Sequence, residues 1–296
     1  HGRPSRDGWH LGYYRSDCHD ILEVKNCLLI SESMQEISNT VGEQLRQLPQ
    51  PLPALEITVR QSSVDHKIMV IVSGIERKLV LQTLEGQYPM GVSWIHHQAE
   101  QCSVLSGEPL LREQLHNTSF EISPMAFFQV NHGQAEQILK IITQWLDLQG
   151  NEVILDAYCG VGSLALPLAG QVRKVMGIEA FKPAVKDAQA NARLNGLRNT
   201  RFLAGLTEDV MPTLTNRFDA VILDPPRSGC APGVVQSVAR LNIPRVVYVS
   251  CEPSTLARDL ALFKQAGYYV KEVQPLDMFP WTRHVETVVL MSRVKD

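Results

Sequence analysis

Residues Val153–Ser163 read VILDAYCGVGS, an apolar run that contains one acidic residue and leads into a glycine-rich turn. A short apolar run of this kind is typical of a buried strand. Two nearby glycines allow a tight turn and a close approach of the backbone to a ligand, although a GxG pattern alone is weak evidence. The stretch predicts a first strand with a ligand-binding loop at its carboxyl end.

From this strand to the end of the chain, strand-like runs alternate with helical ones, which favours βαβ units and a mostly parallel, doubly wound sheet. Two last strand candidates, Tyr268–Val273 and Glu286–Met291, follow without a helix between them, so we expect them to pair antiparallel. The fold class is therefore α/β with a seven-stranded sheet. The other strands are predicted at Val153–Ala157, Lys174–Glu179, Thr200–Ala204, Asp219–Leu223 and Arg245–Ser250, and the helices at Pro183–Leu194, Gly233–Leu241 and Ser254–Gln265.

The N-terminal part predicts a smaller α/β domain over residues 1–124. A helical pattern begins near Ser31 and ends at a stiff proline-rich connector, Leu48–Pro53, after which come strand-like runs at Leu55–Arg60 and Ile68–Ser73. The larger domain is predicted over residues 125–296, and its first helix begins at Asn131 or His132 with Gly150 just past its end.

Composition excludes several classes of protein. Of the 296 residues, 44% are hydrophobic and 20% are charged, close to the globular average, so a disordered, coiled-coil or collagen-like chain is excluded. No apolar run approaches the ~18 residues of a membrane helix, and we expect no membrane association. Lys and Arg total 28 against 31 for Asp and Glu, a net charge of -3 that neither favours nor forbids nucleic acid. Six scattered cysteines without a CxxC pair indicate a cytoplasmic protein rather than a secreted disulfide scaffold.

Four polar residues end, follow or open predicted strands, where open α/β sheets bind their ligands. Glu179 is placed to accept hydrogen bonds from ribose hydroxyls, or is a solvated strand end. Asp224 precedes two prolines that stiffen a loop suited to a planar base, or that form a plain turn. Cys251 lies beyond a buried strand and before a helix, where we expect electropositive surroundings that lower the pKa of the thiol; most cysteines are only buried apolar residues. Glu286 is a general base or an ordinary edge charge.

Together these segments resemble the RNA uracil-C5 methyltransferase family. The resemblance covers residues 120–296 closely and the region near Tyr13–Cys27 loosely. Its specific parts are the run through Cys251 and the HVET sequence that contains Glu286. The matching stretches are Phe127–Asn131, Leu155–Ser163, Gly177–Glu179, Asp224–Arg227, Tyr248–Asp259 and His284–Thr287.

The resemblance implies a Rossmann-like methyltransferase sheet with S-adenosylmethionine as methyl donor. It implies Cys251 as the nucleophile that adds to uracil C6, Glu286 as the base that removes the C5 proton, and Asp224 between cofactor and base. The partner is RNA, either rRNA or tRNA, and the protein is expected to be a monomer. The residues implied around the cofactor are Gln129, Tyr158, Gly160, Ser163, Glu179 and Asp224.

Three departures from the family pattern modify these expectations. Gly205 stands where the family has an acidic or amide residue near the cofactor. Cys27 resembles one ligand of the family's iron–sulfur cluster, but the other three are absent, so neither a cluster nor another metal is expected. We also expect that these residues do not include the N-terminal RNA-binding barrel of the family.

Two other functions remain open from the residues. An RNA cytosine-C5 methyltransferase typically carries a second cysteine where Arg227 stands and lacks the HVET sequence, so Arg227 favours uracil. A non-catalytic protein that binds RNA or cofactor requires neither Cys251 nor Glu286.

Overall fold

The structure, a computed structural model, describes residues 1–5, 8–14, 18, 20–46, 54–78, 80, 91–99 and 101–293. It divides into two compact units, His1–Arg112 and Glu113–Asp296. The boundary between the units, after Arg112, lies twelve residues before the domain boundary expected after residue 124. The assignment of functional domains stays a prediction. The predicted connector Leu48–Pro53 lies outside the described residues.

The first unit contains short hairpins, one helix and a four-stranded sheet. Helix α1 begins directly after Ser31, whose hydroxyl accepts the N–H of Met34 at 3.2 Å, and its inner residues Val41 and Leu45 pack with Val70 of the sheet. The elements are β1 (Gly2–Ser5), β2 (Gly8–Leu11), β3 (Tyr13–Tyr14), β4 (Ile21–Leu22), α1 (Glu32–Arg46), β5 (Glu56–Gln61), β6 (Ile68–Ser73), β7 (Val92–Gln98) and β8 (Gln101–Ser106).

The sheet of this unit has the order β5-β6-β7-β8. The central pair, β6 and β7, is parallel and the outer pairs are antiparallel. Strand β6 is buried over Ile68–Val72, which explains its continuous apolar run. The predicted helix after Ser31 and the predicted strand Ile68–Ser73 are confirmed.

The second unit is built on the predicted seven-stranded sheet. Every helix and strand expected from residue 131 onward is present within two or three residues of its predicted bounds. The elements are β9 (Leu111–Leu115), β10 (Thr118–Ile122), α2 (His132–Leu146), β11 (Val153–Ala157), α3 (Ala165–Ala169), β12 (Lys174–Glu179), α4 (Lys182–Leu194), β13 (Thr200–Ala204), α5 (Thr207–Val210), a 3₁₀ turn (Met211–Thr213), β14 (Ala220–Leu223), α6 (Pro232–Arg240), β15 (Arg245–Ser250), α7 (Pro253–Gln265), β16 (Tyr268–Leu276) and β17 (Glu286–Arg293).

The sheet order is β13-β12-β11-β14-β15-β17-β16. Strands β11 to β15 run parallel, and β17 is antiparallel to both of its neighbours, as expected for the last two strands. The order reverses at β11, which has β12 on one side and β14 on the other. The carboxyl ends of β11 and β14 therefore form the crevice in which doubly wound sheets bind ligands.

Both faces of the sheet are covered by apolar side chains. Successive strand residues point to opposite faces, so Ile154 and Val247 belong to one core while Leu155 and Val246 belong to the other. Helix α2 packs Ile138 and Ile142 into the first core. The α/β, Rossmann-like fold class is confirmed by this architecture.

Strands β9 and β10 form a hairpin that was not predicted from the sequence. This hairpin is hydrogen-bonded to helix α4 and to Asn195 at its end. The N–H groups of Ser119 and Glu121 donate to the side-chain oxygens of Asn195 and Asn191 at 2.9 and 2.8 Å, and the N–H of Ser123 donates to Asp187 at 2.8 Å. Alternate residues of a strand and every fourth residue of a helix both advance about 6 Å, so the two series remain in register.

Among the described residues, every helix is too short or too polar to cross a membrane.

Candidate functional site

The glycine-rich turn after β11 is tied to the neighbouring strand. The N–H groups of Tyr158 and Cys159 both donate to the carbonyl oxygen of Ile178 at 2.9 Å. Tyr158 adopts a φ of 96° and Gly160 a φ of 53°. A positive φ is unusual for a bulky residue such as tyrosine, and strain of this kind is concentrated at ligand sites.

Gly177, on the adjacent strand β12, is required by close packing. A Cβ atom there would lie 2.6 Å from Sγ of Cys159 and 2.5 Å from Cδ1 of Phe202, both of which are buried. The absence of a side chain lets the turn that contains Cys159 lie against the strand that ends in Glu179.

Glu179 braces the turn from its strand end. Its carboxylate accepts the N–H of Gly160 at 3.0 Å and the N–H of Phe181 at 2.7 Å. The structure thus brings together Gly160 and Glu179, which the sequence predicted to share one site. The ribose contact of Glu179 stays a prediction.

Asp156 lies inside strand β11 with both carboxylate oxygens buried and without a hydrogen-bond partner among the described residues. Burial raises the pKa of Asp156 to about 7, with a further contribution from the charge of Glu179; the nearby N–H of Ala165 opposes the shift. A buried polar group normally has a partner, so this orphaned carboxyl marks a site where a ligand can complete the structure.

The other residues predicted around the cofactor are placed less closely. Tyr158 is half-buried, and its hydroxyl interacts with Cys230 and Thr207; burial is the main cause that raises the pKa of this phenol. Ser163 is half-buried at the end of the glycine turn. Gln129 is half-buried before helix α2, and no hydrogen bond among the described residues joins it to the turn.

Cys251, Glu286 and Asp224 meet at one edge of the sheet. Ser250 of β15 pairs with Thr287 of β17 in antiparallel register, so Cys251 and Glu286 are the next residues at the same end of these strands. Leu223 of β14 pairs with Tyr248 of β15, which places Asp224 at that edge as well. The charge of Glu286 acts on both Asp224 and Cys251, and the charge of Asp224 acts on Cys251, in agreement with this placement.

The two carboxyl groups at this edge, Glu286 and Asp224, both have raised pKa values. Burial raises the pKa of Glu286 to about 7. Burial, followed by the charges of Glu286 and Asp156, raises the pKa of Asp224. No hydrogen bond from a described residue reaches either carboxyl group.

The expected lowering of the Cys251 pKa is wrong. Burial is the largest cause that raises the pKa of this thiol, and the charge of Glu286 adds to it. Arg227 favours the thiolate, but Asp224 acts against it. The surroundings of Cys251 are therefore acidic on balance, because two carboxyl groups outweigh one guanidinium.

The loop between β14 and α6 is held by a buried carboxylate that sequence reasoning missed. Asp259 of α7 accepts the N–H of Cys230 at 2.7 Å, the hydroxyl of Tyr248 at 2.6 Å and Nε of Arg258 at 2.9 Å. Arg258 in turn donates to the carbonyl oxygen of Ser228 at 2.8 Å. The signal was available in the sequence, because Asp259 lies on the same helical face as Leu256 and Phe263, both buried.

Helix α7, which follows the nucleophile candidate, begins at Pro253. The side chain of Glu252 caps it by accepting the N–H and the hydroxyl of Ser254 at 3.3 and 2.7 Å. These hydrogen bonds from Ser254 are the main cause that lowers the pKa of Glu252. The cap fixes the chain immediately after Cys251.

Cys27 lies in the first unit, half-buried, and interacts with the hydroxyl of Tyr13. Within the part of the chain that the structure describes, no three His, Cys, Asp or Glu side chains are grouped as metal ligands. The expected absence of an iron–sulfur cluster stays a prediction. All six cysteines are free thiols.

Comparison with known proteins decides the family. Residues 104–294 match the family model "tRNA (Uracil-5-)-methyltransferase". The chain belongs to this family. An uncharacterized RNA methyltransferase of Thermosynechococcus vestitus is 35% identical over 95% of this chain and 67% of its own length. A second one, from Lactobacillus johnsonii, is 33% identical over 96% of this chain and 69% of its own length.

A solved structure shares the fold over almost the whole chain. The tRNA (uracil-54, C5)-methyltransferase of Pyrococcus abyssi, in complex with S-adenosyl-L-homocysteine, is 25% identical with a TM-score of 0.77, covering 98% of this chain and 74% of its own. These findings confirm the predicted family and an S-adenosylmethionine-dependent RNA methyltransferase of the uracil-C5 type.

Proposed function

We propose that the chain transfers a methyl group from S-adenosylmethionine to C5 of a uridine in rRNA or tRNA, through a covalent bond between Cys251 and uracil C6. The observation that carries the proposal is the meeting of a thiol and a carboxyl of raised pKa, Cys251 and Glu286, at one end of two paired strands. Supporting it are the family of the chain and the tRNA (uracil-54, C5) activity named for the Pyrococcus abyssi protein.

The residues at the carboxyl end of β11 fit the methyl donor. A Cβ atom on Gly160 would meet nothing within 4 Å, so open space adjoins the turn. The buried carboxyl of Asp156 is separated from this turn by a single residue of β11, Ala157. Gln129, Tyr158, Gly160, Ser163 and Glu179 would surround the methyl donor, with Asp224 between the donor and the target base. When bound, S-adenosylmethionine supplies an electrophilic methyl group.

The chemistry requires a nucleophile because C5 of uracil is too weak a nucleophile to take a methyl group directly. The thiol of Cys251 loses its proton to solvent, and the thiolate adds to C6; the C5–C6 π electrons move to form an enolate. C5 of this enolate is nucleophilic and would form the new carbon–carbon bond to the methyl group, while the bond from that methyl group to the sulfonium sulfur breaks, its electron pair stays on sulfur and S-adenosylhomocysteine leaves. The half-buried position of Cys251 leaves the thiol accessible for this step.

A base then completes the reaction. Glu286 takes the proton from C5, the electron pair re-forms the C5–C6 double bond, and the thiolate of Cys251 leaves C6. A carboxyl with a pKa of about 7 suits this task, because it is ionised in a large fraction of molecules near neutral pH and still basic enough to accept a proton. Asp224, whose pKa is also raised, is protonated more readily than a surface aspartate and can donate a hydrogen bond to the enolate oxygen.

A stacked base cannot reach a group at a sheet edge, so the target uridine must be single-stranded or flipped out of its helix. This requirement is shared by rRNA and tRNA substrates, and the test below includes both.

The test is release of tritium to water from RNA that carries tritium at uridine C5. We expect release that depends on S-adenosylmethionine and is lost in Cys251→Ala. The matched control is Cys102→Ala, which removes an exposed thiol of the first unit and should leave release unchanged. Release that persists in Cys251→Ala, or that does not need the cofactor, would overturn the proposal.

A further inference from the structure

The loop between β16 and β17 presents an indole to solvent. Trp281 is 91% exposed, and its φ is 63°. Tryptophan is highly buried on average, and a bulky residue with positive φ is a conformational outlier. Both features are unfavourable for the isolated protein, which points to a partner for the ring.

The loop that carries this ring is internally hydrogen-bonded. The hydroxyl of Thr282 donates to the carbonyl oxygen of Phe279 at 2.7 Å, and the N–H of His284 donates to Thr282 Oγ1 at 3.2 Å. On the other side, Nδ2 of Asn131 donates to the carbonyl oxygen of Met278, a buried residue, at 3.1 Å. The backbone on both sides of Trp281 is therefore held by hydrogen bonds within the loop and to Asn131.

Other exposed apolar side chains lie on the segment that anchors the loop. The bond between Asn131 and Met278 joins the loop to the segment before α2, where Phe127 and Val130 are also strongly exposed. Large exposed apolar side chains on two hydrogen-bonded segments favour a binding surface at this loop.

The cationic groups beside the indole favour an anionic partner. Arg283 is exposed and makes no ion pair among the described residues. Arg227 lies 3.4 Å from Nε2 of His284, within the electrostatic influence of Glu252. Because Arg283 is exposed and has no ion pair among the described residues, it can contact a phosphate of a bound partner, although the whole chain carries a net charge of -3.

The loop leads directly into the candidate active site. Glu286 follows Trp281 by five residues, so their Cα atoms are at most about 18 Å apart. A group held by Trp281 therefore lies near the target nucleotide if the proposed function is correct.

We propose that Trp281 stacks on an unpaired RNA base next to the target uridine, while Arg283 contacts a phosphate of the same strand. Stacking on an aromatic ring suits this partner because every base has a flat face, and a strand with a flipped uridine offers unstacked neighbours. The inference rests on the proposed function for the identity of the target. Protein partners are less favoured because a cationic group with no ion pair adjoins the ring.

The test measures binding of a fluorescent single-stranded RNA that contains uridine, by anisotropy, with the full chain. We expect Trp281→Ala to raise Kd roughly 5- to 150-fold, the range for loss of one base–aromatic stack. Trp281→Phe should retain most of the affinity, whereas Trp281→Leu should behave like Trp281→Ala because it is apolar but not flat. The matched control is Tyr269→Ala, an exposed aromatic paired with Ser292 at the far end of β17 from Glu286.

A second variant tests the phosphate contact. Arg283→Gln should reduce the slope of log Kd against log salt concentration by about 1, without a change between uridine-rich and cytidine-rich strands. Equal affinity of Trp281→Ala and the parent chain, or equal retention in the Phe and Leu variants, would overturn the inference. So would failure of the parent chain to bind RNA.

Tritium release separates this inference from the proposed function. If the parent releases tritium and Trp281→Ala releases it with the same KM for RNA, the inference alone fails. If binding depends on a flat ring at position 281 but no tritium is released, the proposed function alone fails.

Discussion

Buried carboxyl groups of the second unit are of two kinds, those that accept several hydrogen bonds from the protein and those that do not. Asp259 accepts hydrogen bonds from Cys230, Tyr248 and Arg258, and these bonds hold the loop beside the candidate site. Asp156 and Glu286 are also buried, yet the side chain of neither accepts such a set of hydrogen bonds from the described residues, and only the nearby N–H of Ala165 partly offsets the burial of Asp156. Burial without partners raises the pKa of each to about 7.

The difference separates scaffold from chemistry. A satisfied carboxylate stabilises the fold through the bonds that it accepts. An unsatisfied one costs free energy in the isolated protein, and titratable groups of this kind are concentrated at functional sites. We therefore expect loss of Asp259 to lower stability, and loss of Glu286 to lower turnover.

The largest effect is expected for Glu286→Gln. The amide cannot take the C5 proton, so turnover should fall by about 10²- to 10⁴-fold. The covalent bond between Cys251 and C6 should form but not resolve, so an RNA–protein complex should accumulate on a denaturing gel. Glu272→Gln, on the exposed strand β16, is the control and should leave turnover unchanged. Normal turnover in Glu286→Gln would remove this residue from the mechanism.

The next effect is on stability. Asp259→Ala should lower the free energy of unfolding by about 2–4 kcal/mol, because it leaves the Cys230 N–H and the Tyr248 hydroxyl buried without an acceptor. The Arg258 side chain is half-exposed and can be hydrated instead. Urea unfolding measures the change, and Asp277→Asn at an exposed position should change it little. A loss below about 0.5 kcal/mol, the range of ordinary surface substitutions, would contradict the structural role of Asp259.

A smaller and graded effect concerns pH. The pKa of Asp156 is about 7 in the folded chain and close to its usual value of 3.8 in the unfolded chain. The folded state then binds more protons between these values, so stability is greatest below pH 4 for this group and falls as pH rises to 7. The slope approaches roughly 1.4 kcal/mol per pH unit.

Asp156→Asn removes this titration and should flatten the curve of unfolding free energy against pH between 4 and 7. Glu286, raised to about 7 from 4.5, leaves a residual slope of the same sign. Parallel curves for the variant and the parent, measured by urea unfolding at each pH, would show that Asp156 is not held protonated by burial.

The sequence predicts the sheet well because its signals are local. Apolar runs such as Val153–Ala157 and the intervening amphipathic helices define strand bounds without knowledge of any partner. The hairpin β9–β10 was missed because its support comes from Asp187, Asn191 and Asn195, which lie more than sixty residues along the chain. The helix after Asn131 was expected to end near Gly150, but a left-handed Asp147 caps it earlier.

For the site, residue identity was more predictable than environment. Cys251 and Glu286 were predicted from their motifs, and the register of β15 with β17 places them together, while their roles stay predictions. The direction of the Cys251 pKa was wrong, because it depends on Glu286 and Asp224, which only the folded sheet brings beside the thiol. The burial of Asp259 could have been predicted from its helical face, but its partners Cys230 and Tyr248 could not, because they lie on other elements.

The central claim is that Cys251 bonds to uracil C6. Its most direct test is incubation with S-adenosylmethionine and RNA in which uridine is replaced by 5-fluorouridine, since fluorine at C5 cannot be removed as a proton and the adduct persists. Peptide mapping by mass spectrometry should find the methylated nucleotide attached to Cys251, and no adduct in Cys251→Ala. An adduct on another cysteine, or none despite binding of both substrates, would contradict the account.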